Sequence, residues 1–159
     1  MIDDNENAAQ LRKRMAVVGA ELLIRVLDKR PLGQFSLSPQ DETLVSWAPK
    51  LTKEMGAIYW KNKARSINDQ VRGLQPWPGA HTFYNGKLLK ITQAQVSTED
   101  IGKFTPGEVI KVAKNGFYVA CLDKGLLIKE VQPEAGKVMP AHSFVAGYKI
   151  TQGAHLGAA

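Results

Sequence analysis

A chain of 159 residues has the length of one domain with a short appendage. Its 44% hydrophobic and 23% charged residues exclude the disordered and fibrous classes. No apolar run reaches the roughly 18 residues a membrane span needs, the acidic start Met1-Ile2-Asp3-Asp4-Asn5-Glu6 lacks the basic region of a secretory signal, and the single Cys121 excludes an internal disulfide. The expectation is a soluble cytoplasmic protein without a membrane partner.

The first element in chain order is a long helix from Asn5 or Asn7 to Lys29, since either asparagine can accept from the open amides of a first helical turn. Leu11, Met15, Val18, Leu22 and Val26 recur at helical spacing and form one apolar stripe. Pro31 and Gly33 stop the helix, and residues 31–43 read as a linker. A second helix is predicted over 63–74, with Ala64, Ile67, Val71 and Leu74 on one side. Gln75-Pro76-Trp77-Pro78-Gly79 ends it, because a proline supplies no helical amide and pushes its predecessor extended.

The signals then turn to β. Runs at 80–84, 87–96, 108–113, 117–122 and 126–131 carry the β-branched and aromatic residues. Asn85-Gly86 and Asn115-Gly116 are predicted to be tight primed turns, and Asp123-Lys124-Gly125 a longer one. Short strands joined this way predict a small antiparallel barrel of the OB-like, Greek-key type. A short helix near 141–146 and an extended piece through Ile150 follow. The fold class expected is α+β: long N-terminal helix and linker, then one helix, the barrel and a short C-terminal helix.

Charge is concentrated along this chain. Of 21 basic and 15 acidic residues, the window 50–90 holds eight basic ones, Lys50, Lys53, Lys61, Lys63, Arg65, Arg72, Lys87 and Lys90, against only Glu54 and Asp69. That window carries the whole excess of +6, which points to a polyanion; a solvated face is the bland alternative. Trp60, Trp77, Phe83 and Tyr84 interleave with it, as aromatic faces do where single-stranded nucleic acid stacks. The competing reading is that Trp60 and Trp77 pack the second helix on the barrel, and it is favoured for Trp77, held between prolines.

Catalytic signatures are missing: there is no GxSxG, Walker loop or GxGxxG. His81, His142 and His155 lack metal-ligand spacing. Asp3-Asp4, Asp41-Glu42 and Glu99-Asp100 diverge in either regular structure and read as surface charge. Cys121, in an apolar strand without nearby cations, reads as a packed thiol, and His81 as a structural residue.

Larger motifs do carry a resemblance. Ala48-Pro49-Lys50-Leu51-Thr52-Lys53-Glu54 is followed by Ile58-x-Trp60, by Arg72-Gly73-Leu74-x-Pro76-Trp77-Pro78-Gly79-Ala80 and by Asn85-Gly86-Lys87-Leu88-Leu89-Lys90-Ile91. Val131-Gln132-Pro133, Gly136-Lys137-x-Met139, Phe144-x-x-Gly147 and Gly153-x-x-Leu156-Gly157 continue the pattern. In order and spacing these resemble the C-terminal part of bacterial methionyl-tRNA formyltransferases. Val138 departs from it where a basic residue is common, and Met55-Gly56 replaces an acidic position.

The resemblance implies a division of labour. The family moves a formyl group from 10-formyltetrahydrofolate to methionyl initiator tRNA. Its catalytic Asn, His and Asp and its folate site lie in an N-terminal domain that nothing here matches, so no catalytic residue and no cofactor are expected in this chain. Residues 1–48 would be the closing helix and linker of that domain, and 49–159 the C-terminal barrel, whose partner is the acceptor arm of initiator methionyl-tRNA. Lys50, Lys53 and Arg72 carry over as tRNA-binding; Lys61, Lys63, Arg65, Lys87 and Lys90 are added from charge alone. Two other readings remain: the C-terminal part of a sugar-nucleotide or other amine formyltransferase, or a non-enzymatic interaction module. The apolar helix at 5–30 would then pair with a second copy or fold back on the barrel.

Overall fold

The computed structural model describes residues 1–29, 37–98, 102 and 104–157. The expected stop at Pro31 and Gly33, most of the linker's first half and the Glu99-Asp100 pair lie outside the described residues. The chain divides into two compact units, Met1–Leu51 and Thr52–Ala159.

In the first unit helix α1 spans Ala8–Lys29. Asn7 caps it: Asn7 Oδ1 accepts from the Gln10 amide at 3.0 Å, and Gln10 Oε1 accepts from the Asn7 amide at 2.9 Å. This reciprocal pair satisfies two amides that the helix itself cannot. No residue of α1 is buried. Besides the expected stripe, Val17, Leu23, Ile24 and Leu27 are exposed, so the second half of the helix is apolar on most of its circumference. A single 3₁₀ turn follows at Glu42–Leu44, capped by Asp41, which accepts from the Thr43 amide at 2.9 Å.

The second unit holds helix α2 (Ala64–Gly73), strands β1 (His81–Tyr84), β2 (Lys87–Val96), β3 (Val109–Ala113), β4 (Gly116–Ala120), β5 (Gly125–Pro133) and β6 (Met139–Pro140), and helix α3 (Ala141–Tyr148). The strands form one antiparallel sheet ordered β1-β2-β5-β4-β3, with β6 on β5. Strands β3, β4 and β5 are joined by hairpins and β2 returns beside β5, which is the Greek-key arrangement. Between β3 and β1 no strand pairing exists among the described residues; residues 153–157 bridge the gap. Leu156 donates to the Gly107 carbonyl at 2.8 Å and Gly157 to the Phe83 carbonyl at 3.1 Å. Two strand edges that would otherwise stay open are covered this way, which completes a small barrel. The expected α+β fold with its barrel is observed.

Alternation explains the core along β2 and β4, while β5 is buried continuously from Gly125 to Ile128. Leu89 and Ile91 of β2, Phe117 and Val119 of β4, and Leu126, Ile128 and Val131 of β5 point inward with Val109, and α2 and α3 close the barrel with Ile67, Val71 and Phe144. Trp60 joins them at 5% exposure, its indole N–H donating to Thr82 Oγ1 at 3.2 Å. Cys121 is buried as expected, and burial, with Asp123 nearby, pushes its thiol up to about 12. A thiol reagent at mildly alkaline pH is therefore expected to label the urea-unfolded chain at once and the native chain only as fast as it opens; equal rates would contradict this packing.

Two local features differ from expectation. Asn85 (φ 50°) and Gly86 (φ 73°) form the predicted primed turn, but Ala113 pairs with Gly116, so the second tight turn is Lys114-Asn115. Gly116 instead lies in β4 with φ 140°, where a Cβ would overlap the Ile128 carbonyl oxygen of β5. Helix α2 has no cap of its own: Lys63 makes no side-chain capping bond. Asp123, from the distant β4–β5 turn, accepts from the Ala64 amide at 2.8 Å. Asp123→Ala is expected to cost about 1 kcal/mol, as losing an N-cap does, read as a lower urea midpoint at unchanged slope.

Candidate nucleic-acid interface

The seven candidate cations of the second unit do not form one cluster. Lys50 belongs to the first unit. Lys61 and Lys63 are exposed at the N-terminal end of α2, beside the β4–β5 turn, where Leu122 donates to the Asn62 carbonyl at 3.1 Å. Ten helical residues, about 15 Å at the standard rise, separate that end from the loop after α2. Arg65 and Arg72 face each other across Asp69, which accepts from Arg65 Nε at 3.3 Å and from Arg72 Nε at 2.9 Å. Their charge is shared with a carboxylate, which sequence counting alone does not reveal. Lys87, the first residue of β2, borders a small cavity of about 180 Å³ with Tyr84, Phe144 and Tyr148.

Lys53 and Lys90 do come together. They line one surface cavity of about 550 Å³ with Glu54, Ala57, Trp77, Pro78, His81 and Leu88. Lys90 enters no ion pair among the described residues. Glu54 is held below the usual carboxylate range by a hydrogen bond from Thr52, its own amide and the Lys53 charge, so one carboxylate stands with the two cations in the lining. Register on the sheet sets Lys90 opposite His81, and the Lys90 stem passes Gly79.

The loop after α2 supplies the rest. Leu74 donates to the Gln70 carbonyl at 3.1 Å and Gly79 to the Leu74 carbonyl at 2.9 Å, closing a loop on which Trp77 is 51% exposed. The sequence favoured Trp77 as a packing residue, and the structure corrects this: Trp60 fills the packing role, while the prolines on either side of Trp77 leave it on a short loop with its indole outward. Phe83 and Tyr84 are half-buried. Gln70 Nε2 reaches the Met55 and Ala57 carbonyls at 2.8 and 3.0 Å, tying the turn at Glu54–Gly56 to α2. Gly56 permits this approach, since a Cβ there would overlap the Gly79 carbonyl and lie 2.8 Å from His81 Nδ1. Gly56 is thus a packing requirement, while Met55 beside it is exposed. His81 Nδ1 lies 3.3 Å from the Gly79 carbonyl; a proton on Nδ1 satisfies that contact and leaves Nε2 as an acceptor. No group of three or more His, Cys, Asp or Glu able to hold a metal occurs among the described residues, and none of their helices is long and apolar enough to cross a membrane.

The family described as "Formyl transferase, C-terminal domain" matches residues 50–149. The chain belongs to that family. Proteins named Methionyl-tRNA formyltransferase match it almost end to end: 44% identity in Pelobacter propionicus over 99% of this chain and 49% of that protein, 40% in Geotalea daltonii over 98% and 49%, and 36% in Acetivibrio thermocellus over 98% and 50%. The chain spans about half the length of the curated relatives it matches. Among solved structures, HypX from Aquifex aeolicus superposes with a TM-score of 0.61 over 80% of this chain and 23% of that one, at 22% identity. Its form in complex with tetrahydrofolic acid gives 0.60 at 21% identity over 80% and 22%. This likeness shows the fold alone.

Proposed function

We propose that this chain is the tRNA-binding C-terminal part of a methionyl-tRNA formyltransferase, the enzyme that formylates methionyl initiator tRNA from 10-formyltetrahydrofolate for translation initiation. The observation that carries the reading is the 36–44% identity, over 98–99% of the chain, with proteins bearing that name. Formyl transfer needs a base for the amine and a donor for the developing oxyanion. Neither role is assigned to a residue of this chain; both, with the folate donor, belong to the half of the relatives that it does not match. The chain's share is to grip the acceptor arm. Lys53 and Lys90 contact phosphate from the cavity rim, Lys61, Lys63, Arg65, Arg72 and Lys87 add positive charge elsewhere on the second unit, and Lys50 adds its own from the first. Residues 1–48 are the closing helix and linker of the catalytic half and 49–159 the barrel, and the exposed apolar side chains of α1 are covered by that half, or by a second copy when the chain is alone. The working compartment is the cytoplasm.

Thermal melting tests the reading against its nearest competitor. Initiator tRNA is expected to raise the melting temperature as a ligand of the native state does, and a sugar nucleotide to leave it unchanged. The reverse pattern would assign the chain to a sugar-nucleotide formyltransferase.

A further inference from the structure

The cavity beside Trp77 combines features that a purely phosphate-tracking surface does not need. A grip on a helical RNA backbone is met by exposed lysines alone, as at Lys61 and Lys63. Here an outward indole stands beside Pro78 and Leu88, His81 carries one ring nitrogen already engaged with the Gly79 carbonyl, and Lys53 and Lys90 border the same space. Its volume of about 550 Å³ falls within the roughly 300–1,000 Å³ of small-ligand sites. The walls are also well supported. Gln70 holds the Met55 and Ala57 carbonyls, Ile58 donates to the His81 carbonyl at 2.8 Å, and the Gly79–Leu74 bond closes the loop behind Trp77.

We propose that this cavity is a nucleotide subsite: the Trp77 indole stacks on one unpaired base while Lys53 and Lys90 hold its flanking phosphates. The charge on the rim selects the occupant. Lys53 and Lys90 outnumber the one carboxylate of the rim, Glu54, so a neutral apolar side chain would leave a positive charge unmatched, whereas a nucleotide presents a flat π-face and an anion a few ångströms apart. Stacking and phosphate contacts are common to every base, so the subsite grips a base without reading its identity. The inference rests on the RNA-binding reading above and adds to it. Duplex backbone alone does not fill this cavity, and the chain therefore distinguishes an RNA helix with a single-stranded extension from one with a blunt end.

The test uses the full chain and two RNA hairpins with the same stem, one blunt and one carrying a short single-stranded extension. Base stacking by an aromatic side chain is worth about 1–3 kcal/mol, so the extended hairpin is expected to bind about tenfold tighter and to quench tryptophan fluorescence. Trp77→Ala is expected to lose the preference and bind both hairpins alike. Trp77→Phe is expected to keep the preference while losing the quench. If the wild type binds the two hairpins equally, or Trp77→Ala keeps the preference, the subsite is refuted while the RNA grip stands. If neither hairpin binds, the RNA-binding reading fails and takes the subsite with it.

Discussion

Replacing Gly116 with alanine is expected to cost the barrel about 3 kcal/mol or more, among the largest effects of any single methyl group here. Two penalties coincide. At φ 140° an L side chain is strained by about 1–3 kcal/mol, and the new Cβ would overlap the Ile128 carbonyl oxygen and lie 3.1 Å from its carbon. Ile128 is backbone in β5, the strand flanked by both β2 and β4, so it cannot move aside as a flexible side chain does. Relief requires parting β4 from β5 near the Phe117–Ile128 pair, where both residues are fully buried. Urea unfolding checks this: a small shift in midpoint would mean that the two strands are not held this closely.

Gly56→Ala is expected to cost about 2–3 kcal/mol by a different route. Its backbone carries no strain; the methyl would press on the Gly79 carbonyl and on His81 Nδ1. His81 lines the Trp77 cavity and Gly79 directly follows Pro78 of its wall, and the parallel bridge of Ala57 with His81 fixes that side to the sheet. The variant is therefore expected to weaken RNA binding as well as stability, by more than Asp123→Ala does at matched fraction folded, since Asp123 acts at the other end of α2. RNA affinity equal in the two variants would separate the cavity from the RNA grip.

Much of this fold is legible in one sequence because its signals are local. The asparagine cap at Asn5 or Asn7, the period of α1, the Asn85-Gly86 turn and the β-branched and aromatic runs each depend on residues within a few positions. What was not legible depends on distant approach. Gly116 reads as a turn glycine until β5 is seen against it. The cap of α2 comes from Asp123, fifty-nine positions away. The 153–157 bridge has no strand-like pattern, yet it joins Gly107 to Phe83.

The candidate site divides along the same line. The basic window is a linear count and was visible as such; its geometry was not. The single residue Asp69 ties up both arginines of α2, and the helix holds Lys61 and Lys63 away from Lys53 and Lys90. Trp60 and Trp77 both lie within the basic window of the sequence. Only the closed loop after α2 decides that one fills the core and the other faces outward. Proline on either side of Trp77 was the available signal, read there as a constraint favouring packing.

The most direct test of the central claim is binding of the full chain to methionyl initiator tRNA across a salt series. Affinity is expected to fall steeply with salt, and Lys53→Gln and Lys90→Gln each to reduce the log–log slope by about one. Arg65→Gln, already paired with Asp69, is expected to change it less. Absence of binding at low salt, or a slope that none of these lysines alters, would contradict the account.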